Sequence, residues 1–241
     1  MKYAAPGPCW VRSSRVGAAG ENAALAIEAA FREIEIIHRL MSFHETDSDI
    51  ARLNRAPLLT AQQVDPRTYE VLSWAQKISA LSDGAFDITV GGKLVAAGFL
   101  PKPEDAEWPS EEANFRDLSL LSDNRVLLRR RAWIDLGGIA KGYAVDRAAA
   151  TLKCNGVDSG IVNAGGDLYA FGAPSQSIFV TPKMRRDYFL LALSQTRRSQ
   201  APAAALPSAA KMAIAPIHWS IRDETPQCVG NRASPSSHRV A

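Results

Sequence analysis

A pair of glycines followed three residues later by a lysine, Gly137-Gly138 and Lys141, is the feature of this 241-residue sequence best suited to chemistry. The apolar run from Trp133 to Leu136 precedes the glycines and predicts a buried strand. The residues after them keep a helical spacing of apolar side chains and predict a helix. A strand that turns into a helix through glycines leaves backbone N–H groups free at the helix start, where anions bind. The pattern therefore predicts an anion site here, with Lys141 as its cation.

A plainer interpretation of the same residues is a tight turn made by the glycines, with Lys141 as a solvated surface residue. The string is not a Walker A loop, which has a glycine five residues before its Gly-Lys-Ser/Thr. It is also not the Gly-x-Gly-x-x-Gly motif of a dinucleotide-binding fold. These differences disfavour a P-loop kinase and a Rossmann oxidoreductase, and the other motifs of the chain must decide between an anion site and a simple turn.

The composition is typical of a globular protein with one domain or two. Hydrophobic residues make up 46% and charged residues 22% of the chain, as in soluble proteins. No apolar run is long enough for a transmembrane segment. No secretory signal is visible behind Met1-Lys2, so a cytoplasmic location is the default expectation. The cysteines at positions 9, 154 and 228 form no CxxC pair, which disfavours a disulfide framework or a zinc site and favours reduced thiols.

The last 61 residues differ from the rest in charge and pattern. Residues 1–180 hold 19 basic and 22 acidic residues, a balance of −3, whereas residues 181–241 hold 9 and 3, a balance of +6. This segment has one glycine, Gly230, and no sustained hydrophobic period. A disordered basic linker and a nucleic-acid-binding tail are two explanations. A third explanation is a change of reading frame.

Hydrophobic spacing and capping residues predict two further helices. The apolar residues from Glu21 to Met41 recur every three or four positions, which indicates an amphipathic helix. Asp65-Pro66 offers an N-cap followed by proline and predicts the start of the next helix. We expect Asp83-Gly84 to end that helix. Its predicted buried face consists of Val71, Trp74, Ile78 and Leu81.

Strands and loops are predicted for most of the remaining chain. The residues at 85–90 suggest an extended segment, and those at 117–122 and 125–130 suggest a hairpin around Asp123-Asn124. Residues 42–49 form a polar break, and residues 54–60 suggest a loop. Further strands are predicted at residues 160–163, through residue 171 and from residue 178.

Four motifs follow one another along the chain. They are Leu40 to Phe43 with Ser48-Asp49 and Arg52 to Asn54, then Asp83 to Gly91, Asp135 to Asp146, and Val162 to Asp167. Each motif alone is unspecific. In this order and spacing they resemble the ApbE family of flavin transferases, the FAD:protein FMN transferases, over roughly residues 21–180.

The resemblance implies an α+β fold with mixed and antiparallel sheets packed by helices. It implies an enzyme that uses Mg²⁺, splits the diphosphate of FAD and attaches FMN through a phosphoester to a Ser or Thr of a target flavoprotein, releasing AMP. Metal-bridged phosphates and a lysine would neutralise the charge that develops on the leaving phosphate. The implied partners are FAD and the target flavoprotein, not nucleic acid. Members of this family are often periplasmic or membrane-associated.

Matched position by position, the resemblance implies roles for particular residues. Lys141 and Asp87 are the catalytic candidates and also contact FAD, Gly138 offers a backbone carbonyl to the metal, and Met41 packs on the flavin. The other FAD-binding positions implied are Gly84, Ala85, Phe86, Asn163, Gly165, Gly166 and Asp167. From the residues alone, Met41 could equally be the last core residue of its helix, and the Asp87 carboxylate could simply cap a turn.

Two departures from the family pattern concern the ends of the chain. Residues 12–20 are too short and too polar to supply the strand and Met-Gly-Thr-like turn with which the family begins. After Val180 we find no match to the family's His-x-x-Asp-Pro string and its nearby Thr, which supply metal ligands. We hypothesise that this segment is read in a shifted frame, because suitably chosen codons for residues 181–234 also encode HPLVDP. The C-terminal part of the fold is then expected to be incomplete and the activity impaired.

The sequence thus predicts three segments. They are an irregular N-terminal segment over residues 1–20, a flavin transferase domain over residues 21–180, and a divergent, basic, low-order tail over residues 181–241. Two functions compete with the transferase: a non-catalytic FAD-binding remnant, and nucleic-acid binding through the basic tail.

Overall fold

The computed structural model describes residues 10–172 and the backbone of residues 178–180. Within this part of the chain, α-helices pack against two antiparallel sheets around a hydrophobic core. This architecture confirms the α+β class predicted from the sequence.

The larger sheet has the strand order β6-β5-β1-β7, and every neighbouring pair is antiparallel. Its strands are β1 (Arg15–Ala19), β5 (Ser159–Ala164), β6 (Asp167–Phe171) and β7 (Ile178–Val180). The expectation of an irregular N-terminal segment is wrong for β1, which lies between β5 and β7 with Val16 and Ala18 fully buried. Five residues show too little alternation to reveal a strand, and the pairing partners of β1 lie near the other end of the described chain. The strands predicted from residue 160 onward are confirmed.

Two helices pack on each other and on this sheet. The first is α1 (Ala23–Met41), which contacts β1, and the other is α5 (Ala140–Cys154), which contacts β5. The predicted apolar stripe of α1 is confirmed, since its members are all buried: Ile27, Phe31, Ile34, Ile37 and Met41. The helix predicted after Gly138 is also confirmed and ends before Gly156, whose φ of 74° suits glycine at a helix terminus.

The helix α3 (Pro66–Leu81) begins as predicted, because the Asp65 carboxylate accepts a hydrogen bond of 2.9 Å from the backbone N–H of Arg67. Its predicted buried face is confirmed for Val71, which is 1% exposed, but is wrong for Trp74 and Leu81, which are 37% and 86% exposed. The residues that are buried are Thr68, Val71, Leu72, Ala75 and Ser79. This face contains polar and small residues, so its period is weak in the sequence.

A helix that the sequence analysis did not predict, α2 (Asp49–Arg55), begins at Ser48, whose hydroxyl accepts from the N–H of Ala51 at 3.0 Å. It carries Asn54 into the interior, 1% exposed. The Asn54 side chain donates to the carbonyl of Ile134 at 3.0 Å and accepts from the N–H of Ile134 at 2.7 Å. A side-chain amide thus makes the pair of hydrogen bonds that a neighbouring strand would otherwise make.

Two predicted strands are absent from the segments described here. Residues 85–90 form turns, followed by the short helix α4 (Gly91–Ala96). Residues 133–136 retain a single parallel bridge, between Trp133 and Val90. The two segments are joined by isolated backbone hydrogen bonds, from Gly91 N to Trp133 O at 3.0 Å and from Asp135 N to Ile88 O at 2.8 Å. Apolar runs favour burial, but a ladder also needs a continuous partner, which these runs lack.

The smaller sheet has the order β2-β4-β3, with β2 (Gln62–Gln63), β3 (Leu118–Leu121) and β4 (Arg125–Leu128). The predicted hairpin is confirmed: Asp123 and Asn124 connect β3 to β4 with positive φ angles of 57° and 53°.

Cys154 is disulfide-bonded, so the expectation of reduced thiols is wrong for this residue. Sequence spacing does not report which cysteines lie close in space. Among the described residues, we find no helix whose length and hydropathy would let it cross a membrane. The predictions for residues 181–241, including the shifted frame, fall outside the residues that the structure describes.

Replacing Asn54 by Ala should lower the free energy of unfolding by about 2–4 kcal/mol, because both hydrogen bonds are buried and Ile134 would be left unpaired. Urea denaturation followed by circular dichroism measures the change. Asn155→Ala is the matched control, because its side chain makes an exposed bond of 2.8 Å to the carbonyl of Thr151. A loss for Asn54→Ala no larger than that of the control would contradict the role of this contact.

Candidate functional site

At the start of α5, the backbone N–H groups of Ile139 and Ala140 both donate to the carbonyl of Leu136, at 3.0 and 2.8 Å. Its N-cap residue, Ile139, makes no side-chain capping bond, and the first turn contains no acidic residue. Lys141 is the second residue of the helix. Free N–H groups and a cation at a helix start attract a negative ligand. The anion site at the glycine pair stays a prediction.

The loop from Gly84 to Val90 forms one wall of a cavity, and Asp87 fixes its shape. One carboxylate oxygen of Asp87 accepts from the N–H and the hydroxyl of Thr89, at 2.8 and 2.7 Å. The other accepts from the N–H of Phe115 at 3.1 Å. Both oxygens are therefore engaged in holding the loop, which supports the turn-capping alternative for Asp87.

The cavity next to this loop has a volume of about 560 Å³. It brings together five of the residues singled out from the sequence: Gly84, Ala85, Phe86, Asp87 and Gly138. Phe86 and Gly138 lie close together, since a Cβ on Gly138 would be 3.3 Å from the Phe86 ring. Lys93 and Asp135 also line the cavity and give it one cation and one further carboxylate.

Asp135 is a site residue to which the sequence analysis gave no role. Burial raises the pKa of its carboxyl, while the N–H of Gly137 and the charges of His44 and Lys141 act to lower it. Its side chain accepts from the N–H of Gly137 at 3.2 Å. An acid within an otherwise apolar run, two residues before the glycine pair, was the available signal. Its half-buried position in a cavity suits a functional group.

The second glycine turn contacts the same helix start. Gly165 has a φ of 62°, and a Cβ there would lie 3.0 Å from Cδ of Lys141. The Lys141 side chain therefore lies directly against the turn that joins β5 to β6. Asn163 and Asp167 flank this turn in the ladder, opposite Leu168 and Ala164. The β5–β6 turn at Gly165 and the segment from Gly137 to Lys141 are thus adjacent in space.

Met41 lies elsewhere. It belongs to the hydrophobic core and is 3% exposed, and it does not line the cavity described above. This location corresponds to the alternative in which Met41 is the last core residue of α1. Its predicted contact with the flavin stays a prediction, as do the ligand-binding roles of the other residues.

The described residues contain no cluster of three or more His, Cys, Asp or Glu side chains placed to hold a metal ion. Mg²⁺ takes oxygen ligands and is commonly held by one or two carboxylates together with substrate phosphates. Of the cavity carboxylates described, Asp87 is fully engaged and Asp135 has one oxygen bonded to Gly137. The Asp135 carboxylate and the backbone carbonyl of Gly138 fit a magnesium ion that is shared with a diphosphate. They do not fit a site built from protein ligands alone.

The fold and the site define a class of protein: an α+β domain with an aromatic-walled cavity at the glycine turn that enters a helix. The chain belongs to the ApbE family, because the model of that family matches residues 10–195. The match begins before β1, which agrees with the strand that the sequence analysis missed.

Curated relatives carry the name FAD:protein FMN transferase. The chain is 24% identical over 184 residues to the protein of Escherichia coli strain K12, covering 71% of this chain and 52% of that protein. It is 29% identical over 160 residues to the protein of Treponema pallidum, covering 61% and 44%. The chain therefore spans about half the length of the curated relatives it matches.

Solved structures show the same fold. The flavinyl transferase ApbE of Pseudomonas stutzeri, in its apo form, is 31% identical with a TM-score of 0.52, covering 60% of this chain and 52% of that one. The ApbE protein of Thermotoga maritima is 28% identical with a TM-score of 0.57, covering 70% and 64%.

Replacing Asp135 by Asn should stabilise the protein at pH 7. Because burial raises the pKa of this carboxyl in the folded state, its ionisation destabilises the fold as the pH rises above the ordinary value of 3.8. The gain should shrink below about pH 4, where the carboxyl is protonated in both the folded and the unfolded state. Thermal unfolding at several pH values measures the difference.

Asp47→Asn serves as the control for this experiment, because Asp47 is exposed and its replacement should change stability by less than about 0.5 kcal/mol. A gain for Asp135→Asn that does not depend on pH would contradict the assignment to ionisation.

Proposed function

We propose that this protein is a flavin transferase that cleaves FAD and attaches FMN to a Ser or Thr hydroxyl of a target flavoprotein. The observation that carries the proposal is the junction of three motifs. The Phe86 loop and Gly138 line one cavity, and Lys141, three residues after Gly138, lies against the Gly165 turn. Membership of the ApbE family and relatives named FAD:protein FMN transferase support the same activity.

In the proposed complex, the start of α5 and Lys141 bind the diphosphate of FAD. The N–H groups and the ammonium stabilise the charge that grows on the leaving phosphate. Phe86 provides an aromatic wall for a ring of the ligand. Asp87 acts indirectly by holding the cavity loop in shape, and the close approach of Gly165 keeps the Lys141 side chain directed along the turn.

The overall transfer is balanced without an oxidant or reductant. The acceptor oxygen forms a bond to the phosphorus of the FMN half, the bond from that phosphorus to the bridging oxygen breaks, AMP keeps the bridging oxygen, and one proton is released. A bound Mg²⁺ would neutralise phosphate charge, with Asp135 and the Gly138 backbone as its protein ligands.

A second candidate function is FAD binding without catalysis. It is favoured by the carboxylates of the described cavity, since both oxygens of Asp87 are engaged within its own loop and no group of three or more potential metal ligands is found among the described residues. Nucleic-acid binding depends on residues 181–241, outside the described part, and the candidate site offers it no support.

FAD titration followed by flavin fluorescence, combined with chromatographic detection of AMP with and without Mg²⁺, tests the proposal. We expect FAD binding, and Mg²⁺-dependent release of AMP when an acceptor polypeptide is present. FAD binding without AMP release would favour the non-catalytic alternative. No FAD binding would overturn both.

Lys141→Met should weaken FAD binding at least about tenfold, because a charge-assisted contact with the diphosphate is lost. Lys77→Met is the matched control, because Lys77 lies over the ring of Trp74 on α3 at 4.4 Å from its centroid. Equal affinities of the two variants, measured by the same fluorescence titration, would remove Lys141 from the binding site.

A further inference from the structure

The strand β6 forms one edge of the larger sheet among the described strands, and most of it is open to solvent. Residues 167–170 are all exposed, with Leu168 at 58% and Tyr169 at 37%. An edge strand presents unpaired backbone N–H and C=O groups that can accept another strand, and proteins usually shorten, charge or cover such edges. Asp167 is the one charged residue of β6.

The hairpin register determines which backbone groups face outward. Gly165 and Gly166 form a two-residue turn with φ angles of 62° and 106°, as in a type I′ hairpin, where the flanking residues exchange hydrogen bonds. Asp167 is therefore bonded to β5, and the alternation of an antiparallel ladder gives the same bonding to Tyr169 and Phe171. The N–H and C=O groups of Leu168 and Ala170 point away from β5.

This edge begins at the candidate site. Asp167 directly follows the glycine turn, and Gly165 in that turn lies against the Lys141 side chain. Five residues of strand span about 17 Å. A polypeptide paired with β6 would therefore run up to the turn that contacts Lys141.

We propose that the edge of β6 binds the acceptor segment of the target polypeptide as an added strand and so presents its Ser or Thr hydroxyl to the nucleotide site. The inference rests on the transferase function proposed above. Main-chain pairing recognises an extended polypeptide largely irrespective of sequence, and alternate side chains add specificity. Leu168 and Tyr169 point to opposite faces of the strand: Leu168 supplies an apolar contact on one, and on the other the Tyr169 hydroxyl accepts from Lys153 at 3.0 Å.

A second copy of this chain is a weaker candidate for the same edge. Symmetric pairing through one five-residue strand per copy would bury far less than the roughly 1,200 Å² of a stable interface. A substrate segment that must leave after transfer needs no such area. A substrate segment on β6 would also end beside Lys141, where the transfer is proposed to occur, whereas a dimer contact has no need of that position.

The test uses the full chain with Ala170→Pro, which removes an outward N–H and leaves the bonds to β5 in place. Ala170→Val is the matched control, because it keeps the N–H. The probe is a pool of nine-residue peptides with a central Thr, from which binders are selected on the unaltered chain and measured by fluorescence anisotropy. We expect binding by Ala170→Pro to be about tenfold weaker than by Ala170→Val.

Hydrogen exchange supplies an independent measurement. Peptide binding should slow exchange at the amides of Leu168 and Ala170 and leave Tyr169, already bonded to β5, unchanged. Equal peptide affinity for the two variants, protection elsewhere, or no peptide that binds would overturn the inference. So would a dimer of the peptide-free chain that Ala170→Pro abolishes in sedimentation. FAD binding is measured on the same samples: a chain that binds FAD but no peptide refutes the added strand alone, and one that binds no FAD refutes the proposed function.

Discussion

The paired hydrogen bonds between the Asn54 side chain and the backbone of Ile134 connect α2 to the segment that leads into the candidate site. Residues 133–136 have one bridge and no ladder, so this side chain supplies what a second strand would supply elsewhere. Asn54 is itself held by α2, whose first residue, Asp49, accepts from the N–H of Asp65 at 2.9 Å and the hydroxyl of Thr68 at 2.6 Å. Buried polar contacts thus lead from α3 through Asp49 and Asn54 to Ile134, and they hold the segment that enters the Gly137-Gly138 turn. Such a chain holds geometry well, because every broken member leaves an unpaired buried group.

Two features of the candidate site lower the stability of the free protein. The start of α5 lacks a side-chain cap, and the carboxyl of Asp135 has a raised pKa because it is partly removed from water. Both features cost stability in the free protein, and the ligands proposed above, phosphates and a cation, would offset that cost. Asp87, by contrast, spends both carboxylate oxygens on its own loop. Of the two acids that line the cavity, Asp87 thus holds the wall, and Asp135 has the raised pKa.

The two glycine turns contribute to the site in different ways. Gly138 allows the Phe86 ring to approach the segment that enters α5, whereas Gly165 allows the Lys141 side chain to pass over the β5–β6 turn. That turn also starts an exposed edge strand, so the nucleotide site and the polypeptide-binding edge proposed above share one hairpin. A transferase that joins a nucleotide fragment to a protein needs both surfaces within reach of each other.

The sequence by itself determined what local forces decide. The apolar period of α1, the Asp65-Pro66 start of α3 and the turn at Asp123-Asn124 all depend on residues close together in the chain, and the structure agrees with them. The family resemblance placed the Phe86 loop and Gly138 in one site, and both line the same cavity. Only the tertiary structure decided that residues 15–19 form a central strand, that residues 133–136 are held by a side chain, that Met41 is buried in the core, and that Asp135 faces the cavity. These outcomes depend on partners distant in sequence, and neither periodicity nor propensity records which distant segments will meet.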